Sequence, residues 1–274
     1  MYDMLLHLPV LSRPDFFLFR APGPGLGNLM FPIARALIGQ ARWGGVFVPP
    51  TLRQIKFGTY VRREADKRTY GQLLKHRTSE DWMNRFRVIR TTKVDETRFG
   101  GQRYGSSTVV YEGLGNFFHD IADNHEIIGG WIFKNSRVIL DDLEKIDIAV
   151  HVRRGDFTHA NGAGASIRIP DEWYVEAVRE AGKLLGTAKP RCVIFSDGPA
   201  SQVEGLSRQL NAVIDDSPNA LASLMAMSRG KVIVTSRSTF SMWAALLGRQ
   251  IAIWDKHFES SKYWPNRPCL DVLF

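Results

Sequence analysis

Ile148-Ala149-Val150-His151-Val152-Arg153-Arg154-Gly155-Asp156 is the stretch on which the reading of this 274-residue chain turns. A short apolar run, interrupted by one imidazole, leads straight into two guanidiniums and a carboxylate. Apolar runs of this length bounded by turn residues suit strands buried on both faces, as in parallel sheets. An arginine fork at the end of such a strand can grip a diphosphate, because it donates two parallel hydrogen bonds and stays charged at any working pH. The same residues would also fit a solvated arginine pair held by Asp156, so the surroundings must decide.

C-terminal to this stretch the pattern is regular. A helix over 171–185 presents Tyr174, Ala177, Val178, Ala181, Leu184 and Leu185 on one side, bracketed by Pro170 and Gly186. A strand at 193–195, a helix over 200–210 and a short strand at 212–214 follow. Next is a helix over 218–228, with Ser217 as N-cap, Pro218 at its first position and Gly230 closing it. A strand at 232–234 then runs through Thr235-Ser236-Arg237-Ser238 into a helix over 239–247 and a strand at 251–253.

N-terminal to it, Phe16-Phe17-Leu18-Phe19 reads as a buried strand. The turn Pro22-Gly23-Pro24-Gly25-Leu26-Gly27 leads from it into a helix with Met30, Ile33, Ala34, Leu37 and Ile38 on one face. Asn28 is its expected N-cap, Pro32 falls in its first turn, and it ends near Gly44-Gly45 before a strand at 46–48. From 51 to 103 no period is clear, and only a helix near 70–75 is assigned. A strand at 107–111 follows, with 114–120 a loop or helix start.

Alternating strands and helices predict an α/β fold in which two doubly wound halves with parallel sheets face one another, the break falling near residue 140. The expected domains are 1–140 and 141–274. Ligands of such sheets sit at the carboxyl ends of the strands, where the glycine turn, the His151 cluster and the Ser236 turn all fall.

Composition narrows the function. With 44% apolar and 23% charged residues the chain can build true cores. It has no apolar run long enough to span a membrane and no signal-like N-terminus, so a cytoplasmic protein is expected. Two cysteines, with Cys192 inside an apolar run, exclude a disulfide framework, and the seven histidines lack metal-site spacing. A net charge of +8 favours anionic partners. No nucleic-acid motif accompanies it, and the patch Arg62-Arg63-Glu64-Ala65-Asp66-Lys67-Arg68 carries its own acids. A nucleotide-sugar, an acidic glycan or peripheral contact with the anionic inner face of a membrane all suit the charge.

The Gly25-Leu26-Gly27-Asn28 turn lacks the Gly-Lys-Ser/Thr of a P-loop. It also lacks the third glycine and downstream acid of a dinucleotide fingerprint. Its helix could still receive an anion. Ser236, Ser238, Thr239 and Ser241 surround a helix N-terminus, more hydroxyls than capping alone requires. Asp197, closing the strand before it, suits either a nucleoside contact or a helix cap. A G-x-S-x-G elbow is missing, which argues against an α/β hydrolase.

Taken in order, Gly25-Leu26-Gly27-Asn28-Leu29-Met30-Phe31, His151-Val152-Arg153-Arg154-Gly155-Asp156-Phe157, Phe195-Ser196-Asp197 and Ser238-Thr239-Phe240-Ser241-Met242-Trp243 resemble the bacterial α1,2-fucosyltransferases, glycosyltransferase family 11. The resemblance implies a GT-B arrangement of two Rossmann-like domains, the N-terminal one on the acceptor side and the C-terminal one binding the donor. It also implies GDP-fucose as donor, a glycan hydroxyl as acceptor, inversion at the anomeric carbon, and neither cofactor nor metal. Carried over, Arg153 holds the β-phosphate as it leaves, Arg154 supports it, and His151 contacts the nucleotide. Asn28, with Gly25 and Gly27, approaches the donor, while Ser236, Ser238, Thr239 and Phe240 line the pyrophosphate and nucleoside, and Asp156 and Asp197 complete the donor site. The chain departs from the family pattern at Leu29, Pro32, Arg237 and Met242, and no catalytic base is evident beyond the candidates Asp156 and His119.

Overall fold

The structure, a computed structural model, describes residues 4–54, 70, 71, 73–75, 77–101, 105–137, 145–154, 168–264 and 269–272. It divides into two compact units, 1–138 and 139–274.

Unit 1 carries β1 (Leu5–Val10), α1 (Leu26–Trp43), β2 (Val46–Phe47), α2 (Ser79–Ile89), β3 (Thr92–Asp95), β4 (Ser107–Glu112) and α3 (His125–Asn135). Its four strands are all parallel, in the order β2-β1-β4-β3. The first strand is Leu5–Val10, not Phe16–Phe19. Its polar residue His7 is fully buried between Tyr111 (Nδ1 to Oη, 2.8 Å) and the Gly44 carbonyl (Nε2 to O, 2.9 Å). The α1 helix presses on this pair at Gly39, where a Cβ would come within 1.9 Å of the Tyr111 hydroxyl oxygen, so only glycine fits. Phe16, Leu18 and Phe19 are instead exposed on a loop.

Three further expectations for this unit are corrected. Gly25, not Asn28, caps α1, which places Asn28 inside the first turn and Pro32 in the helix interior. Pro32 cannot donate to the carbonyl of residue 28. Among the described residues of 70–75 there is no helix, and Leu74 bridges to Ser136. The α2 helix, absent from the sequence reading, is fixed by a capping box. Thr78 accepts from the Asp81 N–H (3.2 Å), and Asp81 accepts from the Thr78 N–H (2.8 Å).

Unit 2 carries β5 (Ile148–Val152), α4 (Asp171–Leu184), β6 (Cys192–Ser196), α5 (Glu204–Leu210), β7 (Val213–Ile214), α6 (Ala220–Met227), β8 (Val232–Val234), α7 (Thr239–Gly248), β9 (Ile251–Asp255) and β10 (Cys269–Val272). The strands are parallel in the order β10-β9-β8-β5-β6-β7. Read from β5 as the first strand, this is the doubly wound order 3-2-1-4-5-6. Ile148, Val150, Val152, Ile194, Val232 and Val234 pack against Tyr174, Ala177 and Ala181 of α4. Cys192 belongs to this core, and burial pushes its thiol up to about 11. Two boundaries move. The expected helix over 200–210 is a short 3-10 turn followed by α5, and α6 is capped by Asn219, which accepts from the Leu221 and Ala222 N–H groups. Ser217 instead donates to Asp215.

Candidate active site

A doubly wound sheet opens a crevice at the carboxyl edge where the strand order reverses, because the connections on either side of that point leave toward opposite faces. In unit 2 the reversal lies between β5 and β8, which pair directly. His151 near the end of β5 and Ser236 just beyond β8 meet across it, with Nδ1 and Oγ 2.8 Å apart. Phe240, in the first turn of α7, lies against the same imidazole with ring centroids 5.5 Å apart.

The adjacent Arg153 and Arg154 part company here. Along an extended chain alternate side chains point to opposite faces. Arg153 keeps the parity of His151, is partly exposed, and pairs through Nε with Asp197 Oδ2 at 3.2 Å. Arg154 keeps the parity of Val152, and its side chain is fully buried. It is ion-paired with Asp171, donates to the Ile169 carbonyl, and lies 5.9 Å from the Tyr174 ring centroid. Its fork is therefore engaged by Asp171 of α4 and the Ile169 carbonyl. Burial lowers its pKa, with Asp171 opposing, yet a guanidinium stays charged.

Asp197 has both carboxylate oxygens on the arginine pair. Oδ1 accepts from the Arg154 N–H at 2.8 Å while Oδ2 faces Arg153. It thus positions the arginines. Gly198 is what lets β6 approach so closely, since a Cβ there would lie 2.7 Å from Arg154 Cβ.

The hydroxyl-rich turn also resolves residue by residue. Ser238 is the N-cap of α7 and accepts from the Phe240 N–H at 3.1 Å. The Ser241 hydroxyl donates back to the carbonyls of Ser236 and Ser238, and Ser236 serves His151. Local bonding thus engages the hydroxyls of Ser236, Ser238 and Ser241, while residues 237–240 stay partly exposed at a helix N-terminus, where an anion is favoured.

Arg237 adds a guanidinium that sequence reasoning noted only as a departure. Its Nε donates to Asp255, which closes β9, at 2.5 Å. The crevice rim thus repeats one device: an arginine after one strand held by a carboxylate ending the next. The acid at the end of β9 was the available signal.

His151 is enclosed on all sides. Burial, with Arg153 adding and Asp197 opposing, pushes its imidazole down to about 3, so the ring is neutral at working pH. Folding favours the unprotonated ring. Stability from this group is therefore whole above about 6.5 and is lost on acidification, as the unfolded chain takes up a proton that the folded chain refuses. In urea titrations between about pH 6 and 5, wild type is expected to lose stability more steeply than His151→Gln, by up to about 1.4 kcal/mol per pH unit. Equal slopes would show an imidazole that protonates freely in the fold.

Gly155 and Asp156 lie outside the described residues, as does the 62–68 patch. In unit 1, Gly25 and Gly27 flank the start of α1 with Asn28 half-buried behind them, and His119 is exposed in a 3-10 turn. Among the described residues, no three of His, Cys, Asp or Glu gather as a metal-ligand set. No described helix is long and apolar enough to cross a membrane.

The sequence model of the family described as Glycosyl transferase family 11 matches residues 71–263. The chain belongs to that family. This family 11 glycosyltransferase thus carries the whole unit 2 site inside the matched span, while the Gly25–Asn28 turn lies outside it. No curated protein matches the chain in sequence. Among solved structures it resembles POFUT1 in its apo form, at 12% identity and TM-score 0.47, over 90% of this chain and 95% of that one. Against POFUT1 in complex with GDP the likeness spans only about half of each chain, 53% of this one and 52% of the other, at 16% identity and TM-score 0.37. It also resembles NodZ α-1,6-fucosyltransferase co-crystallised with GDP, at 14% identity and TM-score 0.44, covering 90% and 93%. The E. coli heptosyltransferase WaaC with ADP gives 11% identity and TM-score 0.45, covering 93% and 89%.

Proposed function

We propose that this family 11 enzyme transfers fucose from GDP-fucose to a glycan hydroxyl with inversion, forming an α1,2 linkage on a galactoside in surface polysaccharide synthesis. Unit 2 binds the donor and unit 1 takes the acceptor. The observation that carries the reading is the His151–Ser236 contact across the strand-order reversal, with Arg153 on one side and the α7 N-terminus on the other.

As the anomeric carbon separates from the diphosphate, the sugar gains oxocarbenium character and the β-phosphate gains negative charge. Fixed cations and N–H dipoles aimed at the departing oxygens stabilise that charge more than they stabilise the ground state. Arg153 fills this role, kept in place by Asp197, and the first turn of α7 receives the remaining phosphate oxygens. The neutral His151 ring cannot compete as a cation, and it sets the crevice wall against Phe240 and Ser236. Asn28 is the unit 1 residue assigned to the reacting sugar. We assign no metal to the reaction, since the guanidinium supplies the charge a cation would.

Ligand-induced stabilisation tests the donor. At a concentration 100 times its Kd a ligand adds about 2.7 kcal/mol, so GDP is expected to raise the melting temperature by several degrees, with UDP and dTDP doing far less. A larger shift with UDP or dTDP would assign another nucleotide-sugar. Fucose transfer to a galactoside panel, with linkage read by NMR, tests the remainder.

A further inference from the structure

Six exposed large apolar side chains of unit 1 stand on two adjoining segments. Phe16, Leu18 and Phe19 stand on the loop after β1 at 54, 65 and 38% exposure, and Met83, Phe86 and Ile89 line the outer side of α2 at 52, 60 and 62%. The two sets join where the Phe17 and Phe86 rings stack, 6.0 Å apart. At 100° per residue, Trp82, Met83, Phe86, Ile89 and Arg90 fall within one arc of about 120°, opposite the buried Asn84 and Val88 and bordered on one side by the buried Arg85. The α2 helix is thus apolar on the side away from its own core.

The loop does not merely leave these residues uncovered; it is built to present them. Residues 15–20 close on themselves through the Asp15–Arg20 bridge and the Phe16 N–H to Phe19 carbonyl bond (2.9 Å). Phe17 at the tip adopts φ 67, a left-handed conformation unusual for a bulky residue, and a polar network holds it there. Its carbonyl accepts from Arg77 (3.0 Å) and Thr51 (3.1 Å), while its N–H donates to Asp15 (2.9 Å). Asp15 is in turn ion-paired with Arg85 at 2.8 Å. Buried polar groups thus lock the base of a knuckle whose tips are Phe16, Leu18 and Phe19.

We propose that this knuckle and the outer side of α2 together form the face by which the chain lies on an anionic lipid bilayer. The charge around the patch selects the occupant. Arg53 borders the loop, Arg87 and Arg90 flank the α2 stripe, and Glu80 and Asp81 are the acids of its first turn. Trp82 carries the Arg77 guanidinium 5.0 Å from its ring centroid, a pairing suited to the headgroup level. In a chain of net charge +8, a second copy docking here would bring like charges together, whereas anionic headgroups complement them. Apolar tips of this size dip into the acyl boundary while arginines remain among headgroups, as in proteins that lie on a membrane without crossing it.

Co-sedimentation of the full chain with vesicles tests this. Binding is expected with phosphatidylcholine mixed three to one with phosphatidylglycerol and to be several-fold weaker with phosphatidylcholine alone. The triple variant Phe16→Ser, Leu18→Ser, Phe86→Ser should bind the mixed vesicles at least about tenfold more weakly, with an unchanged melting temperature because these side chains are exposed. The double variant Leu184→Ser, Val213→Ser, altering exposed apolar residues of unit 2, should bind like wild type. If the triple variant melts early, the single changes Phe16→Ser and Phe86→Ser should each give a partial loss. Absence of binding to mixed vesicles, or equal binding by the variants, overturns the proposal. Lipid-independent self-association abolished by the triple variant also overturns it, in favour of a second copy on this face.

Discussion

Arg153→Ala is expected to lower kcat by on the order of a hundredfold or more, comparable to removal of one oxyanion donor. The melting temperature should also fall moderately, because the Arg153–Asp197 pair is mostly buried, at 22% and 18% exposure, and removing one partner of such a pair destabilises the fold. The split between kinetic constants is the informative part. If the guanidinium meets charge that grows as the diphosphate departs, kcat falls much more than the donor KM rises. Arg153→Lys keeps the charge but loses the planar fork, so it should recover only part of the rate. A variant with raised KM and intact kcat would place Arg153 in ground-state binding alone. Both constants come from steady-state assays with varied GDP-fucose.

Arg154→Met should give the opposite result. Its guanidinium is buried beneath α4 and paired with Asp171, so the substitution leaves that carboxylate without its cation. Breaking a fully buried pair costs about 3–5 kcal/mol, and because Asp171 keeps 32% exposure the expected loss here is nearer about 2 kcal/mol. In a domain of this size that is a fall in melting temperature on the order of 10 °C. Activity per folded molecule, measured well below the transition, should stay within a few-fold of wild type. Normal melting of the Arg154→Met variant together with lost turnover would return Arg154 to the phosphate.

This contrast shows what was legible in the sequence and what was not. The two arginines are adjacent and identical in kind, and the family resemblance carries both. Only strand parity separates them: residue 153 follows 151 toward the crevice, and residue 154 follows the core residue Val152. The sheet of unit 2 was readable because Ile148–Val152, Cys192–Phe195 and Val232–Val234 are nearly uninterrupted apolar runs ended by Gly, Pro or capping residues. Unit 1 misled because its first strand contains His7 and Pro9, whereas the more apolar Phe16–Phe19 lies on the surface. Burying an imidazole between Tyr111 and Gly44 is a tertiary event that no local pattern announces. The α2 helix did leave a local mark, the Thr78-x-x-Asp81 box, which its charged, outward-apolar composition obscured. Asp255 and Arg237 were likewise visible as residues but not as partners, since 18 positions separate them.

A structure determined with GDP bound tests the central claim most directly. The account predicts the β-phosphate at the carboxyl edge between β5 and β8, within about 3 Å of the Arg153 guanidinium and facing the first turn of α7. A diphosphate seated elsewhere, with Arg153 still turned to Asp197 and no phosphate oxygen in reach, would contradict it.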